Sequence, residues 1–208
     1  MKGSLLIAGC FVSGCLSGWA LAQWEITITA DFATYVLYLL MFQAGISIGS
    51  DKKIKDVLSG IRPKLLLVPL ATITGTLGFS ALVSLFITRW SLFDCLAVGS
   101  GFAYYSLSSI LITELREASY GIQAATELGT IALIANIMRE LMALLGAPLF
   151  VKYFGRLAPV CAGGATTMDT TLPVITRYSG KEFVFAAIFH GILVDLSVPF
   201  FVSFFCSF

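Results

Sequence analysis

Six stretches of the chain are long runs of apolar side chains, at residues 4–22, 32–50, 65–88, 92–113, 128–150 and 183–207. Each approaches the roughly 20 mainly apolar residues that an α-helix needs to span a bilayer. The runs are continuous rather than alternating, which suits helices and not the strands of a membrane barrel. Between the last two lies a different stretch, Ala162 to Pro173, reading AGGATTMDTTLP. In lipid, such a segment is tolerated only where its freed backbone and polar side chains face protein or a water-filled cavity. It is therefore the expected place of a polar ligand. Counting it, the pattern predicts an all-α polytopic membrane protein of about six or seven transmembrane helices. Residues 1–208 then form a single transmembrane transport domain.

Composition removes the soluble alternative, since 58% of residues are hydrophobic, 12% are charged and the mean hydropathy is +0.92. A soluble domain could not cover itself with so few polar side chains. The lipid bilayer is thus the first partner, and a net charge of +1 suggests no nucleic-acid partner. The 13 Lys and Arg are unevenly spread, and the densest cluster is DKKIKDVLSGIRPK, with Lys52, Lys53, Lys55, Arg62 and Lys64. By the positive-inside tendency this loop is cytoplasmic. If Ala162–Pro173 crosses the membrane, nine of these cations lie inside, three outside and Arg139 within a helix. If it re-enters instead, Arg177 and Lys181 move outside and the split is seven to five. The crossing arrangement is the expectation.

The N-terminus has features of a signal peptide, with Lys2, an apolar run and Ala20-Leu21-Ala22, and Ile7-Ala8-Gly9-Cys10 resembles a lipoprotein box. A first spanning helix is the better reading, with Gly14 and Gly18 in the spacing that lets helices approach. Cys10, Cys15, Cys95, Cys161 and Cys206 lie in apolar surroundings without the paired spacing of a metal site, and read as small apolar residues.

Polarity is placed inside the apolar runs at three points. Gly99 to Glu114, GSGFAYYSLSSILITE, interrupts a would-be helix with glycines, tyrosines and serines, so local unwinding is expected there; small-residue helix packing is the alternative. NIMREL puts Asn136, Arg139 and Glu140 in mid-span, where a charge costs on the order of 2.5–3.5 kcal/mol on insertion scales and faces a pathway or a partner. Asn136 and Glu140 share a helix face, whereas Arg139 and Glu140 are poorly placed to pair. A glutamate facing a cavity can exchange a proton, which makes Glu140 the leading coupling group. The third point is the polar stretch itself. There Gly163 and Gly164 allow close backbone approach, Thr166, Thr167, Thr170 and Thr171 supply hydroxyls and Asp169 a charge, and Pro173 stops a continuous helix. Two interrupted segments meeting near the midplane are a pointer to a secondary transporter with an internal repeat. His190 and Asp195 of the last run rank lower: the histidine reads as a packing residue, and Asp195 is expected nearer a membrane face.

Taken in order, GSGFAYYSLSSILITE, NIMREL, GGATTMDTTLPVITRYSGKE and FHGILVDLSVP resemble the LysO-type L-lysine exporters of bacterial inner membranes. The resemblance runs from about residue 31 to the C-terminus. It implies proton-driven export of L-lysine and toxic lysine analogues, with no cofactor or metal. It also implies two intramembrane acids, one of them falling on Glu140. Typical members are longer, and their additional N-terminal helices carry the other acid. Tyr35 to Lys53 resembles the second copy of a helix that those members carry twice. A short N-terminal-half membrane polypeptide, or a second copy of this chain, is then an expected partner.

Lysine leaves as a cation against an inside-negative potential worth about 2.3 kcal/mol per charge per 100 mV, so uphill export requires a coupling ion. On this reading Glu140, with Asp169 beside it, receives the cation and is then protonated from outside. The amides and threonines around Gly163 hold the carboxylate, Tyr104, Tyr105, Ser106 and Ser108 line the opposing break, and Asn136 and Arg139 complete the substrate site. A channel for a small polar solute and an inert subunit are the alternatives. One histidine, with neither HExxH nor GxSxG, argues against an intramembrane enzyme.

Overall fold

The structure, a computed structural model, describes residues 13–14, 16–20 and 63–208. The expected span at 32–50 and the Tyr35–Lys53 copy lie outside the described residues, as does most of 4–22. From Pro63 onward the chain is helical, without strands among the described residues. A 3₁₀ turn, Pro63–Leu66, leads into α1 (Leu67–Ser84), followed by α2 (Leu92–Gly99) and α3 (Tyr105–Phe154). Gly121, at φ 77° and ψ 161°, breaks α3 into two arms. Next come α4 (Ala158–Gly163), a 3₁₀ turn at Gly164–Met168, α5 (Leu172–Tyr178), a 3₁₀ turn at Lys181–Phe183 and α6 (Val184–Cys206). Among the described residues, three helical stretches are long and apolar enough to cross a membrane: Leu67–Ser84, Tyr105–Phe154 and Lys181–Cys206.

The remaining polar-interrupted segments fold back on themselves. In the first, α2 begins with a capping box in which Ser91 Oγ accepts from the Asp94 N–H at 3.1 Å and Asp94 accepts from the Ser91 N–H at 3.0 Å. Asp94 then pairs with Arg116 at 2.6 Å and accepts from the Tyr120 hydroxyl at 2.7 Å, both from the far end of the first arm of α3. One buried carboxylate thus closes the base of a helical hairpin whose tip is residues 100–104. In the second, Arg156 before α4 pairs with Glu182 after α5 at 2.8 Å, so this segment also starts and finishes at one end of the bundle. The two ends are opposite. Arg116 donates to the Cys206 carbonyl at 3.2 Å and Phe93 stacks on Phe208 at 4.8 Å, placing the first base where α6 finishes. Glu182 places the second where α6 begins.

Ala162–Pro173 is therefore re-entrant rather than crossing, contrary to expectation. Residues 92–113 likewise turn back instead of crossing. The expected charge split changes with them. Among the described residues, Lys64, Lys152, Arg156, Arg177 and Lys181 belong to the end where α1 and α6 begin. Arg89, paired with Glu127, belongs to the other, with Arg116 buried there and Arg139 in mid-bundle. Over these seven end residues the crossing count gives four and three, and the structure gives five and two, because Lys152 and Arg156 change sides one way and Arg116 the other.

The core gathers around the first tip: Phe102 packs with Ala97, Leu107, Leu128, Val194, Val198 and Val202. Exposed apolar side chains such as Phe79, Leu145 and Phe200 lie outward, as lipid-facing positions require. With cysteines at 156 and 182 on a cysteine-free background, an impermeant thiol reagent should label both from the same side of oriented vesicles. Labelling from opposite sides would restore the crossing arrangement.

Candidate functional site

The two hairpin tips meet. The Ala165 N–H donates to the Phe102 carbonyl at 2.9 Å, joining one broken segment to the other in mid-bundle. A Cβ on Gly164 would lie 2.2 Å from that carbonyl, and Gly164 has φ 59°, so only glycine fits there. On the first tip, Phe102 (φ 43°) and Ala103 (φ 74°) occupy the left-handed region that side chains disfavour. Such backbone persists where its surroundings over-determine it.

Those surroundings are on the second arm of α3. Asn136 Oδ1 accepts from the Ala103 N–H at 2.7 Å, while Nδ2 donates to Val98 O at 3.3 Å and Ala132 O at 2.9 Å and lies 3.5 Å from Ser108 Oγ. One amide side chain thus ties the carbonyl at the end of α2 to the turn beyond it. Arg139 does the same for the second tip. Its Nε donates to Ala162 O at 3.0 Å and Nη2 to Cys161 O at 3.1 Å, at the C-terminal end of α4 where carbonyls lack helical partners. Its Nη1 donates to Thr76 Oγ1 of α1 at 3.1 Å. Both residues also border a cavity of about 590 Å³ between α1, α2 and α3, lined mainly by apolar side chains. The carboxylates described below do not line it.

The threonines of the second tip are engaged with their own backbone. Thr166 Oγ1 donates to Gly163 O at 2.8 Å and Thr171 Oγ1 to Thr166 O at 3.0 Å. Thr167 Oγ1 lies 2.8 Å from Ala187 O and 3.1 Å from His190 Nδ1. The other ring nitrogen of His190 is 2.9 Å from Thr72 Oγ1, so the buried imidazole bridges α1 and the tip, the packing role read from sequence. On α6, Gly191 admits the tip, since a Cβ there would sit 2.7 Å from the Met168 nitrogen.

Three carboxylates surround the junction. Glu140 is 4% exposed and its Oε1 has no hydrogen-bond partner. Asp169, at the exposed apex of the second tip, accepts from the Thr170 N–H. Asp195 is 7% exposed in the middle of α6, which corrects its expected place near a membrane face. Asp169 is in electrostatic range of both Glu140 and Asp195, Tyr105 of Glu140, and Tyr104 of Asp195. The structure therefore gathers the residues singled out from sequence. Tyr104, Tyr105, Ser106, Ser108 and Asn136 are at the first tip; Arg139, Gly163, Gly164, Thr166, Thr167, Thr170 and Asp169 are at the second; Glu140 follows Arg139 on α3, in electrostatic range of Asp169. Asp195 was underrated, although its position midway along the apolar run 183–207 was a usable signal.

A model of the family described as "Lysine exporter LysO" matches residues 8–206. The chain belongs to the lysine exporter LysO family. It is 34% identical over 208 residues to the "Lysine exporter LysO" of Escherichia coli (strain K12), covering 98% of this chain and 64% of that protein. It is 30% identical over 198 residues to a "Putative lysine exporter" of Haemophilus influenzae, covering 95% of each. The chain thus spans less than two thirds of the Escherichia coli relative's length. No solved structure matches this LysO-family chain.

Replacing Asn136 by Leu leaves the Ala103 N–H and the Val98 carbonyl without their side-chain partner. A thermal melt in detergent should show destabilisation of about 1–3 kcal/mol, the cost of orphaning buried polar groups. An unchanged melt would mean that Asn136 does not hold the first tip.

Proposed function

We propose that the chain exports L-lysine, and lysine analogues, across the bacterial inner membrane in exchange for protons, with Glu140 as the group that takes cation and proton in turn. The observation carrying this reading is the Glu140 carboxylate, whose Oε1 is buried without a hydrogen-bond partner, on the helix turn where Asn136 holds one re-entrant tip and Arg139 the other. A buried carboxylate so placed is stable when it carries a proton or faces a cation, and costs free energy otherwise. Alternation between those two states is what an exchanger of protons for a cationic amino acid requires. Membership in a family of lysine exporters supplies the cation.

The arrangement suggests how the rest contributes. The end with five of the described cations is cytoplasmic by the positive-inside tendency, so the second hairpin enters from the cytoplasm and the first from outside. Thr166, Thr167 and Thr171 are already spent within the second hairpin or on His190 and the α6 backbone. The lysine carboxylate is better served by the first turn of α3, where N–H groups of a helix start lack partners and the dipole favours an anion. Tyr104, Tyr105 and Ser106 sit at this start, half-buried. Asn136 and Arg139 act by positioning the tips, and Gly163, Gly164 and Thr170 shape the second one around Asp169. One proton entering per lysine leaving makes the exchange electroneutral, driven by the pH gradient. A second proton would add the membrane potential, at about 2.3 kcal/mol per charge per 100 mV.

Lysine efflux from loaded vesicles should fall at least about tenfold in Glu140→Gln, a loss of some 1.4 kcal/mol or more in transition-state stabilisation. The residual flux should no longer respond to an imposed pH gradient. Efflux that keeps its rate and its pH response in that variant would defeat the reading. A channel, by contrast, would dissipate a lysine gradient without building one.

A further inference from the structure

The two halves of the described chain repeat one plan from opposite ends. A re-entrant hairpin is followed by a long helix, α3 in the first half and α6 in the second, and these two helices run antiparallel. Each long helix has one residue that accommodates the tip of the hairpin preceding it. On α3 it is Asn136, bonded to Ala103; on α6 it is Gly191, against Met168. In each, the residue four positions later, on the same helix face, is a buried carboxylate, Glu140 and Asp195. Inverted repeats of this kind place their binding groups at the repeat interface near the midplane.

Asp195 shares the burial of Glu140. It is more than nine-tenths buried, and no hydrogen bond or ion pair to its side chain occurs among the described residues. Its neighbours Val194 and Val198 pack in one cluster with Phe102 of the first tip, and Gly191, one turn earlier, touches the second. Asp169, on the second tip, is in electrostatic range of each.

We infer that Asp195 is a second cation-binding carboxylate of this site: it takes the ε-ammonium of a diamino acid whose α-ammonium faces Glu140. The assignment rests on the lysine-export reading and follows from the helix that carries each acid. Glu140 is one turn beyond Asn136, whose side chain meets Ala103 and Ser108 at the start of α3 that receives the substrate carboxylate and hence the adjoining α-ammonium. Asp195 is on α6, next to Val194 in the cluster against which Tyr104 packs, where the far end of a four-carbon stem would arrive. Asp195 is then the specificity-determining residue for a second positive charge.

The test is binding to the purified 208-residue chain in detergent, comparing lysine with norleucine, which has a methyl in place of the ammonium. The wild-type chain should prefer lysine strongly. In Asp195→Asn this preference should shrink by about 10- to 100-fold, the range of a lost charge-assisted hydrogen bond. In Glu140→Gln both ligands should weaken together. A lysine preference unchanged in a folded Asp195→Asn protein overturns the inference and leaves the export reading standing. A wild-type chain that binds neither ligand overturns both. Asp195→Glu keeps the charge but lengthens the side chain, and should shift preference from lysine toward the shorter ornithine. This variant decides the matter if Asn at 195 prevents folding: an unmoved lysine-to-ornithine ratio overturns the inference.

Discussion

The bond from the Ala165 N–H to the Phe102 carbonyl, 2.9 Å long, is the contact on which the rest of this architecture depends. A bilayer interior offers backbone groups no water, so a chain that leaves its helix in mid-membrane must find protein partners for them. Two breaks entering from opposite ends solve the problem together, each meeting part of the other's need. Asn136 and Arg139, nearly one turn apart on α3, satisfy much of what remains. The site exists because unsatisfied backbone is gathered in one place where charge can also be tolerated.

That solution explains why charge recurs where it does. Arg139 satisfies the last carbonyls of α4, and its guanidinium lies 5.9 Å over the Phe102 ring, so one cation contacts both hairpins. Asp94 and Arg116 close the base of the first hairpin inside the bundle, while Arg156 and Glu182 close the second at an exposed surface. A buried pair of this sort is costly to break on one side only, whereas an exposed pair contributes little. The first hairpin is accordingly anchored at its base far more firmly than the second.

Much of this was legible in the residues. Continuous apolar runs announced helices, and the glycines and hydroxyls at Gly99–Ser109 and Ala162–Pro173 announced the two breaks. Asn136, Arg139 and Glu140 stood out because polarity is rare in such runs. What the sequence concealed was direction. A run of some 20 apolar residues has the same composition whether it crosses or doubles back, and only pairings distant in sequence, Asp94 with Arg116 and Arg156 with Glu182, decide the matter. Asp195 was passed over for a related reason: its nearness to the tips arises from the packing of α6 on both hairpins. The family resemblance pointed to the same residues but was silent on this geometry.

Phe102 and Ala103 hold left-handed backbone at the point where the tips touch. Residues in such conformations cost on the order of 1–3 kcal/mol each, and a buried hydrogen bond contributes a net amount of about 0.5–1.5 kcal/mol. The bonds that fasten the closed junction are therefore partly offset by the backbone they constrain. Parting the tips would forfeit the bonds and release the constraint together.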